Sequence, residues 1–582
     1  MPQKDALLTK TDSKPPKGVS ITGAEAVIRC LVAEQVETIF GYPGGAIMPI
    51  YDALFHYMDQ VNHILTRHEQ GAIHAAQGYA RVAGKPGVVF ATSGPGATNL
   101  VTGLGDAMID STPLVCITGQ VASHLLGTDA FQETDVMNIT IPVTKWNVQI
   151  TRSEDIPEAL AKAFYIARSG RPGPVLVDIT KDAQFGKLDF NYRTCTHLRT
   201  YRPVPEMDLK EVDAAAALID ASQKPFILAG QGILLSGATQ ALIAFAEKGG
   251  IPVSSTLLGL SGFPTDHPLY GGYLGMHGNY GPNKNINQCD LVIAVGMRFD
   301  DRVTGDVSKY ALQARVIHID IDRAEINKNI KADVAILADA GEALAALTSR
   351  IRANTHEPWM EKFRQYKKEE YEKIVVKDWF PTTGEIKMGE VIHLLSELTG
   401  GHAILVTDVG QHQMVASRYF GFREPRTNIT SGGLGTMGFA LPASMGAALV
   451  PGNKPVIAII GDGGFQMTLQ ELGTIFQYQI PVKIIVLNNN FLGMVRQWQQ
   501  LFFESRYSFT EMVNPDFVKL VEAYHIPAVE VTDRANLLPV LTEMLRREGP
   551  YFVEVKVEKE ENVFPMVPSG AGVSDMILEF NK

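Results

Sequence analysis

An aspartate and two asparagines mark where this chain could do chemistry. Asp462 stands in Gly461-Asp462-Gly463-Gly464, directly after the apolar, β-branched run Val456 to Ile460, and Asn488-Asn489 closes a second such run, Val482 to Leu487. Short apolar runs that stop at glycine or asparagine read as buried parallel strands. Between them Phe465, Leu469, Leu472 and Phe476 fall on one face of a helix. The unit is strand, helix, strand, with Asp462 and Asn489 side by side at neighbouring strand ends, where open α/β sheets bind ligands. The glycines let a backbone come close to a ligand, and a helix N-terminus favours phosphate. One carboxylate with amide and carbonyl oxygens, completed by a diphosphate, is a donor set that holds Mg2+. Taken alone, Gly-Asp-Gly also fits a tight turn without a ligand; the paired asparagines on the next strand strengthen the metal reading.

Other chemistry-bearing residues also stand at expected strand ends. Glu69 opens a helix in Arg67-His68-Glu69-Gln70, where a carboxylate ordinarily complements the helix dipole. Ser93-Gly94-Pro95-Gly96 follows the strand Val88 to Ala91 and fits either a structural turn or a loop placing backbone against a cofactor. The irregular stretch from Gln120 to Glu133 has the length of a functional loop. Lys181 lies just beyond the strand that follows Arg171. In the middle third, Met276-His277, Arg298-Phe299-Asp300-Asp301-Arg302 and His318-Ile319-Asp320 stand at strand ends. Acidic groups there suit ribose hydroxyls and arginines suit phosphates, with surface ion pairs an equal alternative. Gly230-Gln231-Gly232 lacks the third glycine of a dinucleotide fingerprint, Leu235 standing in its place, so NAD binding is not expected.

The elements that must carry these residues need several cores. At 582 residues the chain is too long for one, and 45% hydrophobic with 20% charged residues is ordinary for a soluble enzyme. A net charge of −11 without a basic cluster argues against nucleic acid or anionic membrane as partner. Cys30, Cys116, Cys195 and Cys289 have no metal-type spacing and read as reduced thiols of a cytoplasmic protein. The expected order is a polar N-terminal tail at 1–18, an α/β domain at 19–190 and a linker at 191–205. A second α/β domain at 206–350, a charged, exposed helical linker at 351–383 and a third α/β domain at 384–560 follow. The tail at 561–582 is expected as an active-site lid or a loose end.

With Glu69, Gly461-Asp462-Gly463 and Asn488-Asn489 in place, the chain resembles the thiamine-diphosphate enzymes, and more narrowly the acetohydroxyacid (acetolactate) synthase catalytic subunits. The motifs behind the narrower likeness are Gly41-Tyr42-Pro43-Gly44-Gly45, Arg67-His68-Glu69-Gln70 and Gly127 to Glu133, with Arg298 to Gly305, Ser431 to Gly435 and Leu492 to Trp498. The resemblance implies three doubly wound parallel-sheet domains: pyrimidine-binding, central FAD-binding and diphosphate-binding. It implies Mg2+ on Asp462, Asn489 and the carbonyl of Phe491, and thiamine diphosphate against Glu69, Gly45, Pro95, Gln411, His412, Met437, Gly463, Gly464 and Met494. FAD is expected on Arg171, Met276, His277, Arg298, Asp300, Arg302, Asp320 and Asp339. Phe131, Gln132 and Lys181 are expected to line the substrate entrance, and Trp498 with Arg302 to select the second substrate.

The implied reaction decarboxylates pyruvate and joins the two-carbon unit to a second 2-oxoacid, the first common step of branched-chain amino acid biosynthesis. The implied assembly is a homodimer or homotetramer with active sites between subunits, Glu69 serving cofactor held by the other copy, together with a small regulatory subunit. A pyruvate oxidase-type flavoenzyme and a non-catalytic scaffold of the same fold are the alternatives.

Overall fold

A computed structural model describes residues 20–579, so the expected N-terminal tail at 1–18 lies outside the described residues. The apolar runs become three six-stranded sheets whose strands all pair in parallel. A parallel sheet is covered on both faces by its crossover helices, which is why its strands read as unbroken apolar runs. Val456–Gly461 and Val482–Asn488 sit at the centre of the third sheet. The first sheet runs Asn62–Leu65, Thr38–Gly41, Gly87–Ala91, Leu114–Gln120, Pro174–Thr180, Trp146–Ile150.

The first and third sheets share one topology: by order of appearance their strands lie 2-1-3-4-6-5. The central sheet lies 3-2-1-4-5-6, the order of dinucleotide-binding sheets, with its switch point between Pro225–Ala229 and Leu291–Val295. At that switch point the Gly230-Gln231-Gly232 turn presses against Gly296. A Cβ on Gly230 would fall 2.2 Å from the Gly296 carbonyl oxygen, so no side chain fills the crevice from there. The edge strands Trp146–Ile150 and Tyr270–Tyr273 escape the sequence reading. The latter carries Gly271 and Gly272, which blunt any strand signal.

The first and third domains of one chain are fused through a helix crossing. Glu69–Ala83 packs on Ala440–Ala448 with almost no side chain between them. A Cβ on Gly78 would lie 1.9 Å from the Ala443 carbonyl oxygen, and one on Gly446 would lie 1.8 Å from that of Ala75. The alanine-rich face of the Glu69 helix is thus a contact face, and a single buried apolar cluster runs through both domains.

Two connecting segments differ from expectation. Within 351–383, expected to be exposed, helix Glu357–Glu370 buries Trp359, Met360 and Phe363. Phe363 packs edge-on to Phe226 of the central sheet. Most of its charged residues form the outer face, but Glu370 is buried and pairs with Arg418 at 3.1 Å. The C-terminal segment from Glu561 to Glu579 is packed as a strap across the central domain, with Val567, Val573 and Met576 buried in that domain's core. The Val567 amide donates to the Met276 carbonyl at 2.8 Å. Among the described residues no helix is long and apolar enough to cross a membrane.

Candidate active site

The third sheet ends in a small cavity of about 60 Å³, lined by Gln411, His412, Met437, Asp462, Gly463, Gly464, Asn489, Phe491 and Met494. Asp462 opens helix Asp462–Thr468 and is buried. Burial pushes its carboxyl up to about 6, and its one side-chain hydrogen bond comes from Asn514 Nδ2 at 2.7 Å. The Asn489 amide oxygen accepts from the Phe491 amide at 3.2 Å, and its nitrogen donates to Gln411 Oε1 at 3.3 Å. Asn488 faces away, its amide donating to the buried Glu554 at 2.6 Å, so of the asparagine pair only Asn489 lines the cavity.

His412 lies against Gly410 and Gly461, where a Cβ on either would come within 2.9 Å of its ring. Burial lowers its pKa to about 4, so the ring is neutral, and its Nε2 is buried without a hydrogen-bond partner. An under-partnered carboxylate, an amide oxygen, an orphan imidazole nitrogen and close-packed glycine backbone fit a divalent cation carrying a diphosphate.

Behind this cavity, sharing Val409 and Met494 as a common wall, is a second of about 780 Å³. All eight residues expected around FAD line it: Arg171, Met276, His277, Arg298, Asp300, Arg302, Asp320 and Asp339. Trp498 lines it as well, four residues beyond Met494 on helix Gly493–Phe502. Its size suits an extended cofactor. Buried His277 has an unpartnered Nδ1 and a pKa lowered to about 3, while burial raises Asp320 to about 6. These under-used polar groups fit a ligand bearing hydroxyls and phosphates.

Most of the eight are already engaged in part: Asp320 accepts from the Asp322 amide at 2.8 Å, Arg298 lies 3.7 Å from Asp300 and Arg302 lies 3.8 Å from Asp301. Arg171 reaches Glu325 at 2.7 Å and Asp322 at 3.2 Å. Asp339 accepts from Ser236 Oγ at 2.7 Å while capping helix Ala340–Arg350, and Asp300 caps Asp301–Thr304. The ion-pair reading of such residues therefore holds in part beside the cavity reading.

The remaining expected residues gather elsewhere. Glu69, Gly45, Pro95, Phe131, Gln132 and Lys181 follow the carboxyl ends of the first sheet's strands, and none lines either cavity. Glu69 is buried and accepts from Asn99 Nδ2 at 2.9 Å. The Pro95-Gly96 turn lies against it, a Cβ on Gly96 falling 3.1 Å from Glu69 Oε1. The loop from Gln120 folds back so that the Gln132 carbonyl oxygen would meet a Cβ on Gly94 at 2.8 Å. Phe131 is 88% exposed at its tip. One chain thus presents two separate groups of expected residues, at the strand ends of two sheets.

Asn514, Asn99, Asp408 and Glu471 touch these groups and escape the sequence reading. Asp408, buried and raised to about 6, accepts from the Gly438 amide at 3.0 Å and so anchors the glycine-rich loop beside Met437. It stands at a strand end, the one signal available for it. Asn514 lies in an aperiodic stretch and offered none.

Three family models match in series: "Thiamine pyrophosphate enzyme, N-terminal TPP binding domain" at residues 21–139, the central domain at 212–347, and the C-terminal TPP binding domain at 408–555. The acetolactate synthase large subunit of Corynebacterium glutamicum is 46% identical over 573 residues, covering 96% of this chain and 90% of that one. The isozyme 2 large subunit of Escherichia coli is 45% identical, with 96% and 99% covered. The probable large subunit of Methanocaldococcus jannaschii is 44% identical, with 95% of each covered. Placed beside the paired cavities and the repeated sheet topology, these matches make the chain a member of the acetolactate synthase large-subunit family of thiamine pyrophosphate enzymes.

Proposed function

We propose that this chain is a catalytic subunit that decarboxylates pyruvate and joins the two-carbon unit to a second pyruvate or to 2-oxobutanoate, opening branched-chain amino acid biosynthesis. Its relatives act under the name acetolactate synthase. The observation that carries the reading is the convergence of Asp462, Asn489, Phe491 and the unpartnered His412 nitrogen on one small cavity. Asp462, Asn489 and the Phe491 carbonyl would hold Mg2+, and the backbone at Gly463-Gly464 would cradle the diphosphate. When bound, thiamine diphosphate supplies a nucleophilic carbon and an electron sink for decarboxylation.

The protein's part is position and charge. Glu69, oriented by Asn99, would hold a hydrogen bond to the aminopyrimidine ring. That it does not line the Asp462 cavity of its own chain supports a site completed by a second copy, hence a homodimer or a homotetramer of such dimers. Gln132, Lys181 and Phe131 receive the 2-oxoacid, and Trp498 with Arg302 faces the second one. The larger cavity takes FAD, which is structural because decarboxylation and ligation transfer no net electrons. The relatives' designation as large subunits supports a small regulatory partner.

The test is purified protein supplied with pyruvate, thiamine diphosphate and Mg2+. Acetolactate should form only when both additions are present, bound flavin should copurify, and oxygen should not be consumed in step with product. Stoichiometric oxygen uptake would move the assignment to an oxidase, and no turnover of pyruvate would leave a scaffold.

A further inference from the structure

The passage that delivers Glu69 is held by the metal-binding domain of the same chain. Helix Asp462–Thr468 continues through Leu469–Glu471 into Leu472–Tyr478, and this stretch lies against residues 65–71. The Leu65 amide donates to Tyr478 Oη at 3.0 Å, and Arg67 Nη2 donates to the Gly473 carbonyl at 3.1 Å and to Gln477 Oε1 at 2.7 Å. At the centre is Glu471, 0% exposed, whose two oxygens accept from the Arg67 amide at 3.0 and 3.2 Å. Thr474 Oγ1 donates to it at 2.7 Å. The contact is close enough that a Cβ on Gly71 would lie 2.2 Å from Glu471 Oε1, so nothing separates this carboxylate from the first turn of the Glu69 helix.

We propose that Glu471 is a positioning residue for Glu69: it fixes the entry of the Glu69 helix, and so the direction in which Glu69 points across to the second copy's cofactor. The argument is one of geometry and cost. A buried carboxylate is expensive unless its oxygens are satisfied. Those of Glu471 are satisfied by the backbone two residues before Glu69 and by Thr474, so the rotamer of Glu471 and the path of residues 67–71 specify one another. Burial raises its pKa to about 7, and the hydrogen bonds from Thr474 and the Arg67 amide oppose that rise by favouring the ionised form. Because Glu471 lies within the continuous stretch that Asp462 begins, a shift of the metal-bearing helix in one site is carried to the Glu69 serving the other.

The proposal rests on the reading of Glu69 as the carboxylate acting on thiamine diphosphate, and its test separates the two. The readout is the rate at which the C2 proton of enzyme-bound thiamine diphosphate exchanges with D2O, quenched in acid and read by NMR without substrate. Cofactor affinity and thermal unfolding are measured alongside. In Glu471→Gln, exchange should slow by about 10- to 100-fold, the size expected for a reactive group misplaced by up to an ångström. Cofactor affinity should stay within about threefold, since Asp462 and Asn489 are untouched. Glu471→Asp, which keeps the charge, should recover part of the rate. Wild-type exchange in folded, cofactor-loaded Glu471→Gln overturns the proposal. Wild-type exchange in Glu69→Gln overturns the underlying reading instead. Should Glu471→Gln not fold, Thr474→Val, which removes one donor to Glu471, should still slow exchange by a few-fold, and an unchanged rate there overturns the proposal equally.

Discussion

Trp498→Leu should leave acetolactate formation largely intact while lowering the share of 2-aceto-2-hydroxybutanoate when pyruvate and 2-oxobutanoate compete. Trp498 lines the large cavity beside Met494, one of the two residues common to both cavity walls, and its ring lies 5.0 Å from that of Phe502. It is partly buried, packed against the core cluster that includes Val567 and Met576 of the C-terminal strap. The two acids differ by one methylene. Full burial of a methylene is worth about 0.8 kcal/mol, which sets a floor of about fourfold in preference. A well-fitted hydrophobic wall reaches about 1–3 kcal/mol. Because the indole is only partly buried, the selectivity lost should fall between the single-methylene value and the lower part of that range, about 4- to 10-fold. The assay is the ratio of the two products at a fixed substrate ratio. That ratio is insensitive to the accompanying loss of stability, since both products come from the same surviving molecules. An unchanged ratio in a folded, active variant would refute the reasoning and leave Trp498 as packing.

The other expectations concern the two groups of expected residues and the joint between domains. Glu69→Gln should retain Mg2+ and cofactor while losing most turnover, whereas Asp462→Ala should lose cofactor, the proposed metal set having no second carboxylate; equal cofactor loss in both, by equilibrium dialysis, would contradict this division. The Asp462 carboxyl of the cofactor-free protein lies at about 6, above its ordinary 3.8. Its ionised form therefore dominates at pH 7 and its protonated form at pH 5, and Mg2+-dependent cofactor affinity should fall about tenfold over that range, read by calorimetry. Asp462→Asn should abolish that dependence. Gly78→Ala drives a methyl group into the Ala443 carbonyl and should cost about 1–3 kcal/mol of stability, seen in thermal unfolding, with both cavities unaltered.

What the sequence made legible was whatever is local. The parallel strands Val456–Gly461 and Val482–Asn488 are buried on both faces, so their residues read as strands without outside help, and the residues proposed for the metal stand at their ends. Contacts between distant residues left no such trace. The Arg67 amide and Glu471 meet across 404 positions, and nothing in Leu469-Gln470-Glu471-Leu472 sets that glutamate apart from an ordinary surface residue. The small residues of the Glu69 helix were visible, but their reason lies in the helix Ala440–Ala448 and in the approach of Gly446 to Ala75. The central domain is the clearest case. A dinucleotide fingerprint looks for three glycines within one turn, and Leu235 breaks it. The fold obtains its close approach across two strands instead, from Gly296 in the left-handed conformation at φ 56° facing Gly230 and Gly232. A fingerprint confined to one loop cannot register a glycine supplied by the neighbouring strand. The physical requirement, a crevice at the switch point free of side chains, is met all the same, and the cavity that opens there holds every residue expected around the flavin.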